Sequence, residues 1–400
     1  MKNHITLVIG LFLFISCTSN KNKQNLPSIH IHHPEEFSWT EKKACKISYT
    51  TTSDNLVFSA KIKRRGGISS KYHKGSFTFK MEKNWPLAGL PSENDWVLNA
   101  AYVDKTFMRH KLAYDLYREM SPNNIASKVA FVELYINNKY TGLYQLTERI
   151  DSKRLHLDKT DKTAAYYKGP PLFRKDQLSY VQDSLNYYHQ KFPKIERLDK
   201  TSELDSLRSF LFNSSDSNFV NEINQHFDLD NIIDWHLILL LSNNSDGILK
   251  NFYLYKQNKT TPHKIAIWDY DHSFGRDGDY EYNMMQRNIR MEINILFCRL
   301  MLLDVENYRA RLKQRWSYLR ENDIFSKKNI QNHIDSIDQQ ISGYIAKNQA
   351  IWPIDSKWYS DANNYKEEVE IIEQFIKIRL DYLDSYFKEF LQLEFSCDKP

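Results

Sequence analysis

Residues 251–269 constrain this chain more than any other stretch, because they predict a β-hairpin whose open end carries polar side chains. Phe252–Lys256 is typical of one strand, the polar residues 257–262 of a turn, and residues 264–268 of a second strand. Asn251 precedes the first strand and Asp269 follows the second, so pairing of the strands brings the two side chains together. Amide and carboxylate oxygens suit Mg²⁺. The sequence therefore predicts a Mg²⁺ site at the open end of this hairpin.

Asp246 lies five residues before Asn251 and follows a long apolar segment that predicts a helix. In the catalytic loop of protein kinases, the same spacing separates the aspartate that accepts the substrate hydroxyl proton from the asparagine that binds metal. The alternative is a turn in which Asp246 bonds to its own backbone before Gly247. The neighbouring hairpin favours the catalytic interpretation. Asp271 is a weaker metal-ligand candidate than Asp269, since the two face opposite sides if the strand continues.

Further motifs occur in a fixed order before this stretch. Together with D-x4-N, the hairpin and W-D-x-D-x-S-F-G, they resemble the CotH kinase family, atypical kinases named for a spore-coat protein. The resemblance implies an α+β, bilobal protein-kinase-like fold with a β-rich N-lobe and a mostly helical C-lobe. It also implies a phosphotransferase that uses ATP with Mg²⁺ or Mn²⁺. The matching segments are Arg65-Gly66, Ser69-Ser70, Lys74, Ser76-Phe77, Asp104, Thr106, Arg109, Leu112-Ala113 and residues 135–151.

The same resemblance implies roles for residues in the first half of the chain. Lys74 is expected to bind the nucleotide phosphates as a compact positive charge. Lys80 shares its strand parity, so the choice between the two lysines stays open. Arg65 begins a glycine-containing segment expected near the phosphates, and Arg109 is expected either to face phosphate or to bind an acid. Glu148 ends the last predicted N-lobe strand, where it would contact the nucleoside or form an internal salt bridge.

The N-terminus predicts export. The apolar run 5–15 has the length of a signal-peptide core and is too short to span a membrane. Ser16-Cys17 then resembles a bacterial lipoprotein cleavage site. We therefore predict a signal peptide over 1–16 and a lipidated Cys17 with a flexible tether over 17–36, which makes the mature protein an exported, membrane-anchored lipoprotein. The alternative is an ordinary cleaved signal with an incidental cysteine.

Two regions of different character follow this tether. Residues 37–150 predict mostly strands with one helix over 107–120, as in a kinase N-lobe. Residues 151–395 predict mostly helices around the embedded hairpin, as in a kinase C-lobe. The expected N-lobe strands are 45–49, 56–63, 76–81, 129–136 and 142–147. The expected C-lobe helices are 203–212, 217–225, 229–242, 292–303, 305–322, 327–350 and 366–391.

Charge and cysteine content exclude two classes of protein. The chain carries 55 Lys and Arg against 50 Asp and Glu, a balance that argues against nucleic-acid binding. No C-x-x-C pair occurs, which argues against structural zinc. A flexible tail explains the histidines within 30–33 better than a metal site does. A disulfide between Cys45 and Cys397 is conceivable, whereas Cys298 lies in an apolar helical segment and is expected in the core.

Three functions compete. The first is phosphotransfer from ATP to a hydroxyl of an unidentified protein outside the cytoplasm, and the presence of Asp246, Asn251 and Asp269 favours it. The second is a non-catalytic, kinase-fold lipoprotein of surface adhesion or interaction, which the scarcity of ATP outside the cytoplasm favours. The third takes the D-x-D at 269–271 as a glycosyltransferase metal motif. That motif normally occurs in alternating α/β chains, and this chain shows no such alternation.

Overall fold

A computed structural model of the protein describes residues 25–33, 36–180, 184–276, 288–353 and 362–397. Over these residues the architecture is mixed α+β. The predicted signal peptide and Cys17 lie outside the described residues. Within the described ranges, no helix is both long enough and apolar enough to cross a membrane.

Strands from the first part of the chain close into a seven-stranded β-barrel. They are β1 Ser28–His32, β2 Lys43–Thr50, β3 Asn55–Arg65, β4 Ser76–Trp85, β5 Glu93–Asn99, β6 Val129–Ile136 and β7 Lys139–Glu148. Their order around the barrel is β1-β2-β3-β4-β5-β7-β6, and the ring closes because β1 pairs in parallel with β6. The β-rich region that we predicted is therefore a closed barrel, which removes free sheet edges.

Strand β1 corrects the prediction of a flexible tether over 17–36. Ile29 and Ile31 are fully buried, and they alternate with the histidines His30 and His32. This is the ordinary period of a half-buried strand. The run is only five residues long and contains two histidines, so its apolar alternation was too short to be recognised in the sequence.

Apolar side chains fill the barrel interior. Ile47 of β2, Ile62 of β3, Phe79 of β4 and Trp96 of β5 have no exposed surface and belong to one cluster. Because successive side chains of a strand point to opposite faces, the residues between them lie on the outer face of the barrel. That outer face is rich in lysine on β2, β3 and β4.

A second, smaller sheet lies among the helices. Its strands are β8 Ala165–Lys168, β9 Gln190–Phe192, β10 Phe252–Lys256 and β11 Lys264–Ile267, in the order β11-β10-β8-β9. The predicted hairpin is confirmed, because β10 and β11 pair antiparallel. Strands β8 and β9 were not predicted, since they are four and three residues long within a charged, tyrosine-rich stretch.

The helices begin and end within a few residues of the predicted bounds. They are α1 Arg109–Met120, α2 Thr201–Asn213, α3 Asp216–His226, α4 Leu229–Ser242, α5 Ile295–Leu303, α6 Tyr308–Glu321, α7 Lys327–Ile351 and α8 Tyr365–Glu389. The apolar faces of these helices form a single large core. Leu112 and Leu116 of α1 belong to this core rather than to the barrel interior. Helix α1 therefore connects the barrel region to the helices.

Two polar residues, Asp104 and Thr106, start helix α1. The Asp104 Oδ2 atom accepts from the Arg109 N–H at 2.9 Å, and the Thr106 hydroxyl accepts from the Met108 N–H at 3.1 Å. These bonds satisfy backbone donors that have no partner inside the helix. They also fix the first turn of α1, where His110 lies.

The disulfide differs from the one considered from sequence. Cys298 of α5 is bonded to Cys397, and their Cα atoms are 5.5 Å apart. Cys45 is free and buried in the barrel, where burial raises the pKa of its thiol to about 11. The Cys45–Cys397 disulfide that was considered from the sequence is therefore wrong. The apolar surroundings of Cys298 suggested a plain core residue and gave no sign that the C-terminal segment returns to α5.

Candidate functional site

The open end of the hairpin brings together the two residues expected there. Phe252 pairs with Ile267, so Asn251 and Asp269 are neighbours. The Asn251 carbonyl accepts from the Trp268 N–H at 3.2 Å, and the Asn251 Nδ2 donates to the Asp269 carbonyl at 2.8 Å. The predicted proximity is confirmed. Because the amide nitrogen is engaged, Oδ1 is the Asn251 atom suited to a metal.

The chain turns sharply after β11. Asp269 has a φ of +62°, and its N–H donates to the Tyr114 hydroxyl at 2.8 Å. Asp271 was expected to face away from Asp269 if the strand continued, but the strand ends at Ile267 and the turn brings the carboxylates together. One ligand atom each from His110, Asp269 and Asp271 lies within 4.8 Å of the others. These donors form a candidate site for a divalent cation.

His110 is a site residue that was not predicted from the sequence. Its Nε2 atom lies 3.1 Å from Asp269 Oδ1 and 3.5 Å from Asn99 Nδ2. Burial disfavours the charged imidazole, but the hydrogen bond to Asp269 and the nearby carboxylates outweigh it and raise the pKa of His110. The only sequence signal was its position next to Arg109 in the resembling segment.

The two aspartates have opposite pKa shifts. Burial opposes ionisation of Asp269, yet the hydrogen bond and charge of His110, with Lys168 and Arg65, hold its pKa below the ordinary value. Burial, followed by the charge of Asp269, raises the pKa of Asp271. The Asp269 carboxylate is only partly enclosed, because 45% of its side-chain surface remains exposed, so a ligand can reach it. Asp269 is therefore the more readily ionised of the two carboxyl groups, and ionisation of Asp271 costs free energy.

Two cations lie over the ring of Trp268, the residue before Asp269. The Arg65 guanidinium carbon is 5.3 Å from the ring centroid, and the Lys168 Nζ is 5.4 Å from it. Burial, then the charge of Arg65, lowers the pKa of Lys168 to about 8. Arg65 was predicted near this site. Lys168 was missed, because β8 lies in the charged, tyrosine-rich stretch in which no strand was predicted.

A glycine allows β8 to approach the chain before Asn251. Gly169 has a φ of +52°, and a Cβ there would collide with the Lys250 carbonyl oxygen. Its N–H donates to the Phe252 carbonyl at 2.8 Å. Only glycine combines this conformation with such a close contact. The contact places Lys168 beside the segment that carries Asn251.

Asp246 lies in a short 3₁₀ turn over Asp246–Ile248, shortly after α4 ends. Its backbone carbonyl accepts from the N–H groups of Lys250 at 3.0 Å and Asn251 at 3.2 Å. Its carboxylate is 35% exposed and pairs with the Lys250 Nζ at 2.9 Å. Asp246 therefore lies in a turn, but its carbonyl rather than its carboxylate makes the turn's backbone bonds, and the carboxylate is partly exposed in the loop that leads to Asn251.

Arg109 anchors the loop that carries the aspartates. Its Nε donates to the Ser273 carbonyl at 2.9 Å, and its Nη1 atom pairs with Asp104 at 2.6 Å. Its Nη2 lies 3.4 Å from Glu368 of α8, which also pairs with Arg276. Arg109 was expected either to face phosphate or to bind an acid, and the structure shows it bound to the acids Asp104 and Glu368. Since Arg109 and His110 are adjacent, the first turn of α1 holds this loop at two points.

Lys74 occupies a different environment from the one expected. It is 1% exposed, and its Nζ donates to the carbonyls of Ala100 at 3.0 Å and Leu143 at 2.5 Å and to Asn348 Oδ1 at 3.0 Å. Burial lowers the pKa of Lys74 well below its usual value. The adjoining cavity has a volume of only about 20 Å³. A phosphate group has no access to this ammonium, which argues against the phosphate-binding role of Lys74.

Lys80 and Glu148 also lie away from the aspartates. Lys80 is exposed on the outer face of the barrel, opposite Lys61 of β3. Glu148 is fully buried; one carboxylate oxygen accepts from the Lys128 N–H at 2.7 Å and the other pairs with Arg154 at 2.6 Å. Burial raises the pKa of Glu148. Of the two roles expected for Glu148, the structure shows the internal salt bridge.

The chain resembles known proteins over most of its length. Inner spore coat protein H of Bacillus subtilis (strain 168) is 26% identical over 387 residues, and the match covers 92% of this chain and 99% of that protein. The structural match to the crystal structure of the proinflammatory kinase CtkA of Helicobacter pylori covers 92% of this chain and 99% of that chain, at 12% sequence identity. The TM-score of this match is 0.31, which supports no conclusion about the fold. The family model described as CotH kinase protein matches residues 62–383. This chain therefore belongs to the CotH kinase family.

Proposed function

We propose that this protein is an ATP- and Mg²⁺-dependent phosphotransferase that acts on a protein hydroxyl outside the cytoplasm. One observation carries the proposal beyond family membership. The donors His110, Asp269 and Asp271 converge within 4.8 Å of one another, and two cations lie over the adjacent Trp268. Phosphoryl transfer needs this combination, since its catalysis consists mainly of positioning and of neutralising phosphate charge.

The carboxylates fit a divalent cation with oxygen ligands. Burial and the charge of Asp269 raise the pKa of Asp271, so ionising both side chains together is unfavourable without a counter-charge. A bound Mg²⁺ or Mn²⁺ would supply that counter-charge and would neutralise the phosphates. Asp269 and Asp271, with Asn251 Oδ1, are the proposed ligands. His110 is bonded to Asp269 and orients its carboxylate.

Arg65 and Lys168 are the proposed phosphate-binding cations. Both lie close enough to Asp269 for their charges to lower its pKa. Lys168 titrates at about 8 and is therefore mostly protonated at neutral pH. Arg65 can bind two phosphate oxygens at once through its planar guanidinium. Lys74 has no place in this scheme, because its donors are bonded inside the protein.

Asp246 is the proposed residue that receives and orients the acceptor hydroxyl. Its carboxylate is partly exposed and pairs with the Lys250 Nζ. The backbone bond from Asn251 to Asp246 links the acceptor side of the site to the metal side. Alignment of the hydroxyl with the phosphate accounts for the role, and no strong base is needed.

Incubation of purified residues 18–400 with γ-labelled and α-labelled ATP in parallel tests this proposal. Label from the γ position should appear on the protein itself or on an added hydroxyl-bearing protein, in the presence of Mg²⁺ or Mn²⁺. Label from the α position instead would indicate AMP transfer. If no divalent metal supports nucleotide binding in a thermal-shift assay, the adhesion or interaction function replaces phosphotransfer. A shift only with nucleotide sugars would support the glycosyltransferase alternative.

We also propose that the mature protein is exported and anchored to a membrane through lipidated Cys17. The apolar run that ends at Ser16-Cys17 supports this proposal. Cys17→Ser should release the protein from the membrane fraction or leave the precursor uncleaved. If the variant fractionates and migrates like the wild type, the lipoprotein assignment is wrong. The mature form should carry more than one acyl chain, since a single chain binds membranes only marginally.

A further inference from the structure

A row of cations runs along the outer face of the barrel. Ala60 and Ile62 of β3 point into the barrel core, so Lys61, Lys63 and Arg65 point outward. Lys80 of β4 lies directly opposite Lys61. Lys46 of β2 points outward as well, because its neighbours Cys45 and Ile47 are buried. We call Lys46, Lys61, Lys63, Lys80 and Arg65 the basic sheet face.

The charges of the basic sheet face are poorly balanced by the protein itself. Within the part of the chain that the structure describes, Lys46, Lys61 and Lys80 form no ion pair, and all three are exposed. Asp95, opposite Lys80, is already paired with Lys42 at 2.8 Å and with a second cation at 2.7 Å. Like charges directly opposite each other across two strands are destabilising. An anionic partner would remove this cost.

The shape of this region favours an extended chain. A concave space of about 1300 Å³ is lined by Lys42, Lys46, Lys61 and Lys80, and its one acidic lining residue is Glu82. Pockets for small ligands span roughly 300–1000 Å³, so this space is larger than one small molecule needs. Its concave form also does not match a flat lipid surface. Alternate residues of a strand are about 7 Å apart, which is the spacing of alternate side chains in another extended chain.

The basic sheet face leads into the proposed active site. Its last member, Arg65, lies over Trp268, the residue before Asp269. We propose that the phospho-acceptor is an acidic polypeptide segment that binds in extended form along this face, with one carboxylate between the cross-strand neighbours Lys61 and Lys80 and another, two residues along, facing Lys63. Its hydroxyl residue then lies at the Arg65 end, near Asp269. This inference rests on the proposed phosphotransferase function and names the class of its substrate.

Peptide binding without nucleotide tests the inference separately from catalysis. The probe is a fluorescent serine peptide of about twelve residues, which spans about 40 Å when extended, with glutamate at alternate positions. Its affinity is measured by anisotropy at low salt against peptides that carry lysine or serine at the same positions. The variant Lys46→Glu/Lys61→Glu/Lys80→Glu should weaken binding of the acidic peptide by at least about tenfold, because the contacts of Lys61 and Lys80 become repulsive and Lys46, on the same face, changes sign as well.

A matched control reverses three other exposed lysines, Lys328→Glu/Lys366→Glu/Lys377→Glu on α7 and α8, and should leave the affinity close to that of the wild type. A second variant, Lys46→Gln/Lys61→Gln/Lys80→Gln, should show an intermediate loss if the reversal variant folds poorly. The three lysines avoid the proposed catalytic residues, so ATP binding should persist in every variant.

Three results would overturn the inference: equal affinity for the acidic and neutral peptides, equal losses in the reversal and control variants, or wild-type binding to phosphatidylserine vesicles but not to the peptide. The last result would assign the face to a lipid surface. Binding of the peptide without any phosphate transfer would leave the docking face in place and reject the proposed function instead.

Discussion

Two lysines, Lys74 and Lys168, lie in contrasting regions of this molecule. Lys74 is enclosed between the barrel and α7, and it donates to two backbone carbonyls and to Asn348. Lys168 lies at the end of β8 over the face of Trp268, and its charge influences Asp269 across a site that a ligand can reach. The sequence resemblance pointed to the first lysine for phosphate binding, whereas the structure favours the second.

The difference shows how a buried charge is recognised as structural. Three internal acceptors, together with the rings of Phe107 at 4.8 Å and Tyr144 at 4.5 Å, leave Lys74 nothing to offer a ligand. A buried polar group that is fully bonded stabilises one arrangement of its surroundings. Lys168 has an aromatic face on one side and carboxylates nearby, so its ammonium can still donate to phosphate. A lysine that binds a ligand therefore differs from a structural lysine in having accessible ammonium N–H groups, whatever the burial of its side chain.

The largest expected effect is on phosphotransfer in Asp269→Ala. This change removes a proposed metal ligand and the partner of His110, so activity should fall by a factor on the order of 10³ or more. Nucleotide affinity should fall too. Asp246→Asn serves as the contrast, because it should reduce turnover while largely sparing nucleotide affinity. Radiolabel transfer and calorimetry measure the two quantities, and equal behaviour of both variants would contradict the separate roles.

The next effect is on stability in Lys74→Met. The side chain is fully buried, and its loss leaves the Ala100 and Leu143 carbonyls without this donor. We expect a loss of about 3 kcal/mol in the free energy of unfolding. The control Lys80→Met, at an exposed position, should change it by less than about 0.5 kcal/mol. Urea denaturation measures both. If Lys74→Met keeps its stability but loses ATP affinity, the original phosphate-binding assignment returns.

Lys168→Met should produce the opposite pattern. The free energy of unfolding should stay close to that of the wild type, since among the described residues the ammonium of Lys168 makes no buried hydrogen bonds like those of Lys74. Affinity for MgATP should fall roughly tenfold with the loss of one charge-assisted contact. Calorimetric titration of the folded variant measures this. Unchanged affinity would reject Lys168 as a phosphate ligand and leave Arg65 as the proposed cation.

The smallest effect is the pH dependence of ATP binding. Burial lowers the pKa of Lys168 to about 8, so the side chain loses its positive charge as pH rises through that value. Affinity for MgATP should therefore decline from one pH unit below to one above this pKa, by no more than the loss in Lys168→Met. Lys168→Arg should bind with little change over the same range. A decline that persists in the arginine variant would assign the titration to another group.

Much of the fold followed from local patterns. The apolar period of α4 and the alternation of β10 and β11 predicted those elements within a few residues of their bounds. Strands β1, β5, β8 and β9 were missed. The first, third and fourth are three to five residues long, and β5 begins with the polar residues Glu-Asn-Asp. The equally short β10 and β11 were recognised because a polar turn joins them as a hairpin. Closure of the barrel was not predicted, since the parallel pairing of β1 with β6 joins segments about a hundred residues apart.

The candidate site shows the same distinction between residues placed by local patterns and residues placed by contacts of distant segments. The sequence by itself placed Asn251 and Asp269 together, because a short hairpin leaves its two ends no other arrangement. Only the tertiary structure brought His110, Lys168 and Asp271 to them, through the first turn of α1, the pairing of β8 with β10 and the turn at Asp269. It also decided that the charge of Lys74 is internal. Contacts between distant segments depend on how whole elements pack, and local residue patterns carry little information about that packing.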